Sequence, residues 1–68
     1  MEKIESMQDV YKIARRYKPD EAKKCLNYLR SIENVPDGIA YEFYRRFGKN
    51  GELSMLKSVE NLLNYVNK

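Results

Sequence analysis

Apolar residues recur at three- and four-residue spacing in each of four segments of this chain, and nowhere do they alternate with period two. The first segment carries Ile4, Met7, Val10, Tyr11, Ala14 and Tyr17, with Ile13 on the flank. The second carries Ala22, Cys25, Leu26, Leu29 and Ile32, with Tyr28 alongside. Ile39, Ala40, Phe43, Tyr44 and Phe47 make a short third face, and Met55, Leu56, Val59, Leu62, Leu63 and Val66 a broad fourth one. Such spacing puts side chains on one side of a helix and scatters them over both faces of a strand. Beta-branched residues are few as well, so strands are not expected.

Turn residues separate the segments: Lys18-Pro19-Asp20, Asn34-Val35-Pro36-Asp37-Gly38 and Gly48-Lys49-Asn50-Gly51. Proline disfavours helix at the residue before it, and glycine suits the position just past a helix. Helices are therefore predicted at about 3–17, 20–33, 38–47 and 52–66. Ser6 with Asp9 forms a capping pair, Pro19 suits a first helical position, Gly48 suits the stop of the third helix, and Asn50 or Gly51 suits the cap of the fourth. The expected fold is all-α: a compact small helical bundle of four helices with a short third helix, residues 1–68 forming a single helical domain.

The length of 68 residues matters for what such a bundle can do. A core this small rarely supplies more than ~3–5 kcal/mol, so self-association or a partner is a natural source of further stability. No apolar run approaches the ~20 residues of a membrane span. Met1-Glu2-Lys3-Ile4-Glu5 carries charge where the apolar stretch of a signal peptide would sit. One cysteine makes no internal disulfide, which fits a reducing cytoplasm.

The chain contains no histidine. That removes the usual proton shuttle, every Ser/His and Cys/His arrangement, and, with one cysteine, any structural zinc site. There is no glycine-rich phosphate loop and no calcium-loop pattern. Carboxylate chemistry is left with Glu42 and Asp37, which nothing in the sequence brings together in a cleft. Neither an enzyme nor a cofactor or metal is expected.

The net charge of +3 has two readings. Helices that begin acidic and end basic follow the macrodipole: Glu2, Glu5 and Asp9 precede Lys12, Arg15 and Arg16, and Asp37 and Glu42 precede Arg45, Arg46 and Lys49. The functional reading takes Arg45, Arg46 and Lys49, next to Tyr41, together with Lys12, Arg16, Lys23 and Lys24, as contacts for nucleic-acid phosphates. Tyr41 stands four residues before Arg45, on the same helical stripe. A helix-turn-helix comparison of the second and third helices fails, because Asn34 occupies the position of the small residue and Pro36 lies inside the turn.

Six tyrosines are many for this length, and tyrosine is enriched in interfaces. Tyr11 and Tyr17 follow the core face, while Tyr41 and Tyr65 are the better contact candidates. Cys25 lies within the apolar face of the second helix and is expected to be a buried, inert thiol. In the fourth helix seven of twelve residues from Met55 to Val66 are apolar, covering about half its circumference. Such a helix is either central to the bundle or meets another chain through Met55, Val59, Leu62, Tyr65 and Val66. The first functional expectation is thus a small intracellular regulator or adaptor that binds protein through a helical surface, a second copy of itself included. The alternative is a small basic nucleic-acid-binding protein. No membrane contact is expected.

Overall fold

The computed structural model describes residues 2–48 and 54–68. They form four helices: α1 (Met7–Ala14), α2 (Ala22–Ser31), α3 (Asp37–Phe47) and α4 (Met55–Val66). A single 3-10 turn, Pro19–Glu21, leads into α2. Among the described residues there is no strand, so the all-α class holds. The Cα radius of gyration is 10.9 Å, against the ~11 Å expected of a compact domain this long.

The first helix is shorter than the predicted 3–17, and its ends have local causes. The Asp9 carboxylate accepts hydrogen bonds from the backbone N–H groups of Glu5 (2.9 Å) and Ser6 (3.2 Å) and holds them outside the helix. Ile4 consequently reaches the core from non-helical backbone rather than from a helix, yet is only 5% exposed. At the other end Lys18 is extended ahead of Pro19. At 11 residues α3 is longer than α1, with 8, so the shortest helix is the first and not the third. In α2 the turn at Pro19 takes the first positions as a 3-10 turn, and Ile32 has already left the helix. Asn34 then adopts a left-handed conformation, φ 60°, which asparagine tolerates better than most residues.

Gly48 ends α3, as its sequence position indicates. α4 begins at Met55, where the Ser54 hydroxyl accepts from the Lys57 N–H; residue 52, its predicted start, lies outside the described residues. Asn50 and Gly51, the caps expected from sequence, lie outside the described residues.

α4 packs against α1, α2 and α3, so of the two roles open to its broad apolar face it takes the central one. Val59, Leu62 and Leu63 are fully buried and meet Ile13, Ala14, Ala22, Cys25, Leu26, Phe43 and Phe47 in one core. Ser58 is buried with them, its hydroxyl donating to the Ser54 carbonyl at 3.2 Å. Side-chain amides tie the helix ends: Asn61 donates to the Phe47 carbonyl at 2.7 Å and Asn67 to that of Tyr17 at 3.1 Å. No buried side-chain nitrogen or oxygen among the described residues lacks a partner, as a marginal fold requires.

Candidate functional site

The outer face of α3 carries the most distinctive surface. Tyr41 is 70% exposed, and its side chain makes no aromatic pair or hydrogen bond among the described residues. Tyr44, one turn on, is 42% exposed, and its hydroxyl approaches the Met55 sulfur at 2.6 Å. Sequence periodicity puts Tyr44 on the apolar face. It lies instead at that face's edge, half-exposed, with its ring beside Phe43 and its hydroxyl directed at Met55 of α4.

The arginines beside these tyrosines are engaged within the chain. Glu42 receives Arg46, with a 3.2 Å ion pair to Nη2, and Arg45, with Nη1 at 3.9 Å. Arg46 also donates to the Tyr11 hydroxyl at 2.7 Å. That hydroxyl, and then Glu42, push the Arg46 pKa above its ordinary value. Arg46 is therefore not a free surface cation, as the basic-cluster reading has it, but a bridge from α3 to α1. Arg45 and Tyr41 remain outward-facing, as their shared stripe predicts.

The other basic candidates are dispersed. Lys12, Lys23 and Lys24 are exposed, and Lys24 lies 3.6 Å from Glu21. Arg16 closes a bidentate pair with Glu2 at 3.1 and 2.5 Å, and Tyr28 donates to the same carboxylate. Arg16 first, and Tyr28 next, hold the Glu2 carboxyl below its usual range. Lys49 lies outside the described residues.

Of the residues proposed for an interface on α4, Val59 and Leu62 are fully buried and unavailable to a partner of the folded chain. Helical periodicity shows which residues share a face but not how many neighbours cover it, and here three helices do. Met55 and Val66 are partly buried against the core. Tyr65 is 54% exposed, with its ring 5.8 Å from that of Tyr11 and 5.7 Å from that of Phe47. It forms the exposed rim of an aromatic cluster that reaches Phe43 through Phe47.

Two recesses open on the surface of the described residues. One, of about 190 Å³, is lined by Ile4, Leu29, Val35, Ile39, Phe43 and Met55, together with Val10, Ala40 and Tyr44. The other, of about 620 Å³, lies between the non-helical segments that precede α1 and follow α2 and is lined by Glu2, Lys3, Glu5, Tyr28, Glu33 and Asn34, among others. Sequence reading missed both, since each draws on residues outside the helices, which helical periodicity does not place. The available signal was Val35, an apolar residue inside a turn.

The carboxylates considered for catalysis do not meet: Asp37 is exposed at the start of α3, Glu42 is held by two arginines, and neither lines these recesses. Cys25 is fully buried, which pushes its thiol up to about 11. Among the described residues no group of three or more acidic or cysteine side chains is placed to hold a metal ion, and no helix is long and apolar enough to cross a membrane. Comparison with protein-family models, curated proteins and solved structures finds no match.

Proposed function

We propose that this chain is a small non-catalytic binding protein, a regulator or adaptor in a reducing cytoplasm, that engages another protein through the outer face of α3. The observation that carries the reading is the pair Tyr41 and Tyr44, exposed by 70% and 42% on one helix face beside an apolar recess. Tyrosine gives a large rigid contact area at low entropic cost, and with Arg45 at its side it has the composition of interface hot spots. In a chain this small, leaving two such rings in water favours contact more than stability does.

The same geometry weighs against phosphate contacts as the main role. Arg46 is committed to Tyr11 and Glu42, Arg45 shares Glu42, and Arg16 is committed to Glu2. A nucleic acid would have to displace carboxylates already paired with the strongest candidates.

A photo-crosslinking residue at Tyr41, with a control at exposed Asn27, tests this reading. A discrete protein adduct from position 41 but not 27, lost in the Tyr44→Glu variant, is the expected result; sedimentation then tells a second copy from a different partner. Binding of duplex or single-stranded nucleic acid that weakens steeply with salt, with the slope reduced by about one unit in Arg45→Ala, would replace this reading by the alternative.

A further inference from the structure

The two recesses share a wall. Ile4 borders both the apolar groove of about 190 Å³ and the charged cleft of about 620 Å³. The groove falls below the ~300–1,000 Å³ typical of small-molecule sites, so its scale is that of an inserted side chain. Of its lining residues Ile4, Val10 and Phe43 are buried, while Leu29, Val35, Ile39 and Met55 are only partly covered.

The cleft next to it is acidic, in a chain whose net charge is +3. Among its described lining residues, three glutamates, Glu2, Glu5 and Glu33, stand with one cation, Lys3. Glu2 is already neutralised by Arg16. Glu5 and Glu33 form no ion pair among the described residues, and Lys12, Lys23, Lys24, Arg45 and Arg46 line neither recess. Carboxylates beside an apolar groove favour a cationic ligand and repel a phosphate backbone.

Resting on the protein-binding reading, we propose that this double recess docks a partner-protein segment in which a large apolar side chain stands beside lysine or arginine. The apolar side chain enters the groove over Ile4, Ile39 and Phe43, and the neighbouring cation meets Glu5 and Glu33. Burial of the side chain provides the affinity, and the carboxylates select its flank.

The test is an NMR titration of the full isotope-labelled chain with a short amphipathic Leu/Lys peptide and its Leu/Glu counterpart. The expected result is saturable shifts at Ile4, Glu33, Val35, Ile39 and Phe43 with the Leu/Lys peptide, and affinity weaker by about tenfold for Leu/Glu. A Glu5→Gln/Glu33→Gln variant, whose unchanged amide dispersion reports an intact fold, should bind the two peptides alike. Shifts confined to Tyr41 and Arg45, equal binding of both peptides to the parent, or no shift with either overturns this docking site. Concentration-dependent shifts at the groove without peptide overturn it in favour of a second copy. Each of these leaves the α3 reading to the Tyr41 crosslink, so the two fail separately.

Discussion

The guanidinium of Arg46 donates to the hydroxyl of Tyr11 at 2.7 Å, joining the last turn of α3 to the middle of α1 across 35 positions of sequence. The Tyr11 ring packs edge-on against Phe47 at 6.4 Å and beside Tyr65 at 5.8 Å, so the same residue is an apolar core element and a polar anchor. The two neighbouring arginines of α3 are thereby unequal: one is structural and one is not.

That inequality is measurable. Arg46→Ala should lower the thermal midpoint, whereas Arg45→Ala, which loses one long ion pair at the surface, should leave it nearly unchanged. Tyr11→Phe removes the other half of the bond, and the Arg46→Ala/Tyr11→Phe double variant should lose less than the sum of the two single losses. Additive losses in a denaturation cycle would show that the bond contributes nothing.

The core of α4 predicts a large effect from a small change. Leu63 is fully buried, and Leu63→Ala should cost about 2–5 kcal/mol through lost burial and the cavity left behind. That is comparable to the whole stability of a domain this small, so urea denaturation followed by circular dichroism should show a largely unfolded variant in buffer. Leu56→Ala, at a partly covered site, should cost less.

Gly38 offers the opposite sign. It is the second residue of α3, and a Cβ built there meets nothing within 4 Å. Gly38→Ala should therefore stabilise by about 0.4–1 kcal/mol, mainly by restricting the unfolded chain, and raise the thermal midpoint by several degrees. A fall in the midpoint would show that the turn entering α3 requires glycine.

Cys25 sets an alkaline limit. Burial raises its thiol from 9.0 to about 11, so the folded chain holds the proton more tightly than the unfolded one. Its contribution is complete below about pH 9 and is lost as pH rises through about 11. The native thiol should react slowly with thiol reagents and the unfolded one quickly. Cys25→Ala should flatten the fall of the urea midpoint over this pH window, and an unchanged slope would assign the fall to other groups.

Much of this architecture is legible in one dimension. Helical spacing identifies Val10, Ala14, Cys25, Leu26, Phe43, Val59, Leu62 and Leu63 as core residues, because a side chain's place around a helix depends only on its position in the chain, and all are buried. Pro19 and Gly48 mark helix boundaries for an equally local reason, since each acts on its own backbone. Tyr41 is outward-facing for the same reason that Phe43 is inward-facing. What periodicity does not contain is the number of neighbours around a face. Only the packing of α1, α2 and α3 about α4 buries Val59 and Leu62 beyond reach of a partner, draws Arg46 to Tyr11, and folds the non-helical residues Ile4 and Val35 together into a groove. These depend on contacts between residues far apart in sequence, where the energy of a side chain is set by what faces it across space.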